Sequence, residues 1–146
     1  MTHLLEDITV IDAATYLAGP GAATILSDFG AKVIKIEPPG GDGYRALAGG
    51  YKVPFHWLLT SRNKHSLAVD LTKDAGQQLL HELLARADVL TSNFMKSQLE
   101  KFNLEYETLK ALNPRLIVAH ISGYGLEGEE ANRRAFDVTG WWARSG

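Results

Sequence analysis

Residues 8–39, ITVIDAATYLAGPGAATILSDFGAKVIKIEPP, decide the fold. The β-branched run 8–12 predicts a first strand, and residues 32–37, apolar at alternate positions, predict a second. Between them the apolar side chains recur at helical spacing, with Pro20 suited to the first helical position and Gly30 to the helix end. The start of this helix follows the first strand directly. Free N–H groups and the positive end of the helix dipole therefore favour an anion at that point.

The turn at residues 18–21, Ala-Gly-Pro-Gly, stands where a dinucleotide-binding protein carries G-x-G-x-x-G. The fingerprint is incomplete, because Thr24 stands where its last glycine would be. Glu37 lies 18 residues after Gly19, close to the spacing of a ribose-binding acid, so NAD binding stays a minor alternative. An acidic residue at the end of a second strand is also common without any ligand. The turn thus predicts an anion site without naming the anion.

Composition restricts the class of protein. The chain has 146 residues, is 45% hydrophobic and 22% charged, and its net charge of −2 gives no footprint for nucleic acid. It contains no cysteine, no apolar run of the roughly 20 residues needed to span a bilayer, and no histidine spacing that suggests a metal. We expect one cytoplasmic globular domain with no membrane segment, no nucleic-acid partner and no metal.

The remaining sequence continues the alternation of strands and helices. Thr72 or Asp74 is available as a helix cap, and residues 40–50 and 51–59 predict a flexible loop and then a helix or irregular segment. Further strands are predicted at 66–71, 88–91 and 115–121, and helices at 73–87, 97–102 and 106–112. This order predicts an α/β fold with a mostly parallel sheet covered by helices on both faces.

Several polar or aromatic residues have a plain structural interpretation. Residues 62–65 predict a turn with solvated charges, and Lys101 and Arg134 predict surface charges. Asn93-Phe94 predicts a turn residue followed by a core aromatic. The aromatic pair Trp141-Trp142 needs a packing surface, yet the sequence ends four residues later. Residues 124–146 are therefore interpreted as the start of a connection to a missing part.

Six stretches carry a family resemblance, and they follow one another along nearly the whole chain. They are residues 10–12 with 18–20, residues 29–37, residues 62–66 leading to 70–71, residues 87–89 with 93–94, residues 112–117, and residues 122–125. As a set they resemble the family III CoA-transferases. That family includes formyl-CoA, crotonobetaine and bile-acid CoA-transferases and, as a divergent branch, the α-methylacyl-CoA racemases.

The resemblance implies that residues 1–146 form an N-terminal, Rossmann-like CoA-binding domain of an enzyme about three times as long. Such enzymes move CoA between an acyl-CoA thioester and a carboxylic acid through an aspartyl mixed anhydride. The nucleophilic aspartate is expected beyond residue 146, so no catalytic residue is assigned here. CoA and acyl-CoA are substrates rather than a permanent cofactor, and family members form interlocked homodimers.

The resemblance also assigns CoA-contacting positions, most of which follow predicted strand ends. Pro38 occupies a position that is basic in formyl-CoA transferase, which weakens the electrostatic contact there, and Lys101 replaces an arginine with its charge retained. The implied positions are Leu17 and Ala18; Pro38; Val69, Asp70, Leu71 and Thr72; Asn93, Phe94 and Met95; Lys101; and Arg134, Ala135, Phe136 and Asp137.

Two alternatives stay open beside the transferase. A racemase needs a base at the α-carbon, and that branch places histidine directly before the aspartate matching Asp137, where this chain has Phe136. A nucleotide-binding or interaction module without catalysis is the second alternative.

Overall fold

A computed structural model of the protein describes residues 3–47 and 52–144. Within these ranges five strands alternate with six α-helices and one 3-10 turn. In chain order the elements are β1 Thr9–Asp12, α1 Ala18–Asp28, β2 Lys32–Glu37, the 3-10 turn Gly43–Ala46, α2 Phe55–Ser61, β3 Lys64–Ala68, α3 Asp74–Leu84, β4 Val89–Ser92, α4 Lys96–Lys101, α5 Tyr106–Leu112, β5 Ile117–His120 and α6 Asp137–Arg144. Among these residues no helix is long and apolar enough to cross a bilayer.

The strands form one sheet in the order β3-β2-β1-β4-β5, and every neighbouring pair is parallel. Val10 of β1 is level with Val33 of β2 on one side and with Val89 of β4 on the other. From β1 the chain adds β2 and then β3 on one side of the sheet, and it then crosses to the other side of β1 and adds β4 and β5. The α/β, Rossmann-like prediction is confirmed, and the direction reverses between β1 and β4.

Alternate residues of β1 enter two separate hydrophobic layers, because successive strand side chains point to opposite faces. Val10 packs with Ala23 of α1 and with Val33 on one face. Ile11 packs on the other face with the fully buried Leu80 of α3 and with Leu109 of α5. Both faces of the sheet are therefore covered, as the alternation of elements predicted.

The bounds of β2 match the sequence prediction, but those of β3 do not. The sequence favoured residues 66–71, whereas pairing with β2 starts at Lys64 and ends at Ala68. After Ala68 the chain turns, and Asp70 accepts hydrogen bonds from the amide and hydroxyl of Thr72. The expected cap of α3 is also wrong, since Lys73 is the N-cap residue and makes no side-chain capping bond.

Two further expectations change in detail. Helix α1 begins at Ala18, so Pro20 lies within the first turn, where its missing N–H costs no intrahelical hydrogen bond. The segment expected as a flexible loop is anchored at its start, because Asp42 and Tyr44 are buried. Residues 48–50 of that segment, and residue 51 of the next, lie outside the described residues. The helical option for residues 51–59 is confirmed by α2.

Candidate functional site

The carboxyl ends of all five parallel strands meet at one edge of the sheet. The order reverses between β1 and β4, and open α/β sheets commonly bind ligands at such a switch point. The loop at residues 13–17 follows β1, and residues 93–95 follow β4. These two segments form the centre of the candidate site.

Asn93 joins the two segments across the switch point. The amide N–H of Thr15 donates to Asn93 Oδ1 at 2.9 Å, and Asn93 Nδ2 donates to the carbonyl oxygen of Thr15 at 3.0 Å. Both hydrogen-bonding groups of one backbone residue are thus held by one side-chain amide. Asn93 therefore fixes the loop after β1, a role that its interpretation as a turn residue does not include.

The three residues after Thr15 are exposed at the edge of the sheet: Tyr16, Leu17 and Ala18. Tyr16 has a φ of 63°, a left-handed conformation that costs free energy for a bulky residue. Such strain persists only where surrounding contacts enforce it, and the adjoining Thr15 is held by Asn93. The loop is therefore shaped before any ligand arrives.

Gly19 allows the start of α1 to approach the end of the loop closely. A Cβ atom at this position would lie 2.2 Å from Cβ of Ala14, a distance that real side chains do not tolerate. At Gly21, one half-turn later, a Cβ atom would have no heavy atom within 4 Å. Glycine is thus required at position 19 and not at position 21.

The structure brings the implied positions after β3 and at the end of α4 close together. Gln77 Nε2 donates to the carbonyl oxygen of Leu71 at 3.0 Å and to that of Lys101 at 3.3 Å. The hydroxyl and amide of Thr72 lower the pKa of Asp70 by hydrogen bonding, and the charge of Lys101 lowers it further. Lys101 is exposed, and its charge acts on Asp70 together with that of Lys73.

The other implied positions have varied surroundings. Pro38 is exposed after β2, and Met95 is the N-cap residue of α4. Phe94 packs edge-on against Phe102, with 5.5 Å between ring centroids, and contacts the core. That packing matches the interpretation of Phe94 as a core aromatic and leaves Asn93 as the polar group of the pair.

The C-terminal run reaches the first loop through an aromatic contact. The ring of Phe136 meets that of Tyr16 edge-on at 5.5 Å, and Tyr16 also lies 5.7 Å from Tyr44. Ala135 approaches the backbone of Gly123, and Arg134 is exposed. Positions 134–136 are therefore carried to the same end of the sheet as Leu17 and Ala18.

Glu37 is fully occupied by protein groups. Arg45 donates to both carboxylate oxygens at 2.7 and 2.8 Å, Ser66 donates at 2.7 Å, and the amide of Asp42 at 3.1 Å. Burial alone would raise the pKa of Glu37, but these hydrogen bonds outweigh it and lower the pKa to about 2. The acid that the NAD alternative assigned to a ribose therefore has structural partners, which argues against that alternative.

A second set of charges was missed by the sequence analysis. Lys64, predicted as part of a solvated turn, has a side chain only 1% exposed and pairs with the buried Asp12 at 2.8 Å. Burial lowers the pKa of Lys64, although Asp12 acts in the opposite direction. Lys35 is equally buried and pairs with Asp42 at 3.1 Å. Strand alternation could have revealed the buried position of Lys35. Residues 33, 35 and 37 share one face of β2, and a charge on a face that a helix covers must be buried and paired.

At the end of β5, His120 Nδ1 lies 2.9 Å from Ser92 Oγ of β4, and burial lowers the pKa of His120. Within residues 3–47 and 52–144, no three acidic or histidine side chains form a group that could hold a metal ion. The candidate site lies at the carboxyl edge of the sheet and consists of backbone groups, the side-chain amide of Asn93 and exposed apolar side chains.

Comparison with known proteins identifies the family. The model of CoA-transferase family III matches residues 5–146. The chain belongs to this family. Among curated family members it is 38% identical over 151 aligned residues to cinnamoyl-CoA:phenyllactate CoA-transferase of Clostridium sporogenes, covering 99% of this chain and 37% of the relative. It is 43% identical over 137 residues to the β subunit of succinyl-CoA–L-malate CoA-transferase of Chloroflexus aurantiacus, covering 90% and 33%.

Solved structures agree with the family assignment. A CaiB/BaiF family protein from Brucella suis superimposes with a TM-score of 0.86 at 36% identity, covering 96% of this chain and 39% of that protein. Rv3272 of Mycobacterium tuberculosis superimposes with a TM-score of 0.88 at 34% identity, covering 94% and 38%. The chain spans 33–39% of the length of these four proteins, in their N-terminal part.

Proposed function

We propose that this chain is the CoA-binding part of an enzyme that transfers CoA between an acyl-CoA thioester and a carboxylic acid. The family assignment supports CoA transfer in general. The names of the two curated relatives each pair a CoA thioester with an organic acid. Because one pair is aromatic and the other is a pair of dicarboxylic acids, the proposal names the substrate classes and not a particular acid.

The Asn93 link between β1 and β4 is the observation that carries this proposal. It shapes the exposed backbone of residues 16–18 at the switch point, where α1 directs its first N–H groups. No acidic residue lies in the first turn of α1 to occupy that end of the dipole. The edge is therefore suited to the anionic, partly apolar ligand that CoA presents.

The proposed reaction proceeds through an aspartyl mixed anhydride, with the attacking carboxylate outside these 146 residues. Attack on the thioester carbonyl breaks the C–S bond, releases CoA thiolate and leaves the acyl group on the carboxylate. The acceptor acid then displaces the enzyme carboxylate to give an anhydride of the two acids, and the thiolate attacks its acceptor carbonyl, which forms the product thioester and releases the donor acid as a carboxylate. The pairing of Asp12 with Lys64, and of Glu37 with Arg45, supports a nucleophile from elsewhere.

Racemisation is not favoured by the same site. It needs a base able to remove the proton next to the thioester. Phe136 precedes Asp137 at the position where the racemase branch carries a histidine, and its ring packs against Tyr16. An aromatic ring cannot accept that proton, so this observation favours transfer.

The proposal includes assembly as a homodimer in the cytoplasm. Trp141 and Trp142 on α6 are 68% and 72% exposed, and Ile117 on the edge strand β5 is 63% exposed. Exposed apolar groups of this size commonly mark contact surfaces. The exposure of these side chains therefore supports the proposal that other polypeptide covers them in the assembled protein.

Isothermal titration of the chain with CoA, with an acyl-CoA and with NAD tests the binding proposal. We expect saturable 1:1 binding of CoA and acyl-CoA and much weaker binding of NAD. Absence of CoA binding, or tighter binding of NAD, would remove the proposal. An enzyme assay on the longer protein, with an acyl-CoA donor and an acid acceptor, then distinguishes transfer from a binding function alone.

A further inference from the structure

Two buried lysines lie beneath the loop after β1. Lys35 comes from β2 and Lys64 from β3, and the side chain of each is 1% exposed. Each ammonium group pairs with one carboxylate, Asp42 at 3.1 Å and Asp12 at 2.8 Å respectively. Both charges are therefore removed from water and compensated within the protein.

The same ammonium groups also bind backbone carbonyl groups on both sides of the exposed residues 16–18, one in the loop after β1 and one in the first turn of α1. Lys35 Nζ donates to the carbonyl oxygen of Ala14. Lys64 Nζ donates to the carbonyl oxygen of Pro20 at 2.6 Å and to that of Thr60 at 2.7 Å. An ammonium group has three donors, so it can bind a carboxylate and backbone carbonyls together.

Together with Asn93, the lysines hold the loop at three points: Ala14 before the exposed turn, Thr15 at its start and Pro20 after it. The exposed residues 16–18 are left between these points, with Tyr16 in its left-handed conformation. A loop that is fixed in this way needs little further ordering when it binds a ligand.

Stability alone does not account for such pairs. Replacing a buried ion pair by apolar residues of similar volume is often neutral or stabilising, because desolvating the charges is costly. A role in fixing local geometry explains why the two charges are retained. Both pairs lie on the face of the sheet that packs against α1, directly under the loop.

We propose that Lys35 and Lys64 are positioning residues that set the shape of the loop after β1 by holding the carbonyl groups of Ala14 and Pro20. This inference rests on the proposed function, in which the backbone of residues 16–18 contacts CoA. The positioning itself can be tested without any ligand.

The test compares two neutral replacements of the Asp12–Lys64 pair. D12N/K64Q keeps an N–H donor for the carbonyls and lets the two amides bond to each other, whereas D12N/K64M has no donor at position 64. Hydrogen exchange measured by NMR reports the amides of Ala14 and Thr15, which donate to Asp12 and Asn93, while the amides of Leu80 and Leu84 in α3 report the core.

We expect D12N/K64M to speed exchange at Ala14 and Thr15 by about tenfold or more, as for the loss of one hydrogen bond to a charged group. Exchange at Leu80 and Leu84 should change less than about threefold. D12N/K64Q should restore the loop amides to within about threefold of wild type. Unchanged loop exchange in the methionine variant, or parallel acceleration of loop and core, would overturn the inference.

The second pair provides an independent arm if the first variants fold poorly. D42N/K35M removes the donor to Ala14, while the amide side chain introduced at position 42 keeps an oxygen for the backbone N–H of Tyr44. The same local acceleration at Ala14 is expected, and its absence would count against the role of Lys35.

A CoA titration of the same variants separates this inference from the proposed function. The methionine variants should bind CoA about tenfold more weakly than wild type, and D12N/K64Q should bind within about threefold of it. If wild-type protein does not bind CoA, the proposed function falls, while the exchange data still decide whether the lysines position the loop.

Discussion

Removing the side-chain amide of Asn93 should weaken CoA binding while the protein stays folded. Asn93→Ala deletes the hydrogen bonds to Thr15 at 2.9 and 3.0 Å. Each contributes about 1 kcal/mol net, so about 2 kcal/mol of loop ordering is lost. Where the ligand must restore that order, Kd should rise about 10- to 30-fold, since 1.4 kcal/mol corresponds to a factor of ten.

Asn113→Ala is the matched control. Asn113 is buried, its side-chain NH2 donates to the carbonyl oxygens of Leu84 at 3.1 Å and Ala87 at 2.9 Å, and its Oδ1 accepts from the amide N–H of Arg115 at 3.1 Å. It lies before β5, at the opposite edge of the sheet from the loop. This variant should lower Tm at least as much as Asn93→Ala and leave the Kd for CoA within about twofold of wild type.

Calorimetric titration gives the Kd for CoA and thermal unfolding gives the Tm of each variant, so together they separate a local effect on binding from a general loss of stability. The account is refuted if Asn93→Ala binds CoA as wild type does. It is equally refuted if both variants weaken binding in proportion to their loss of stability, because the effect would then be global.

Three further predictions concern other parts of the site. Gly19→Ala should destabilise the chain by about 1–3 kcal/mol in urea unfolding through overpacking, whereas Gly21→Ala, which meets no atom, should stabilise α1 by about 0.5–1 kcal/mol; equal effects would contradict the close approach. The pKa of Glu37 falls from 4.5 in the unfolded chain to about 2 in the folded protein, so the stability that its carboxylate contributes is complete above pH 4.5 and is lost as the pH falls toward 2. In urea unfolding, the difference in stability between wild type and Glu37→Gln should therefore shrink over that pH range. A difference that stays constant would contradict this prediction. The double variant W141Q/W142Q should associate less than wild type in light scattering, and a wild-type chain that is monomeric at all concentrations would remove the contact surface.

Most of the fold was predictable because its signals are local. The run at residues 32–37 is rich in β-branched side chains, with apolar Ile34 and Ile36 alternating with charged Lys35 and Glu37, and β2 has those bounds. β3 was predicted too late because residues 66–71 are more apolar than residues 64–65. Pairing of Val33 with Lys64 and of Glu37 with Ala68 overrides that preference.

The sequence predicted which strand ends carry the candidate site, but it did not predict which side chains contact one another there. The family resemblance named Asn93, but the partner of Asn93 is Thr15, 78 positions away. Lys64 looked solvated because its partner Asp12 lies 52 positions away on another strand. Such pairings depend on strand order, which periodicity does not specify.

The most direct test of the account is the location of CoA on the folded chain, measured by amide NMR during titration. The account predicts that CoA changes the shifts of residues 13–18 and 93–95, at the carboxyl ends of β1 and β4, and leaves Asp88 and Leu116 at the opposite edge unchanged. Shifts confined instead to the open groove beside α3, lined by Asp74, Gln78 and Glu82, would contradict it.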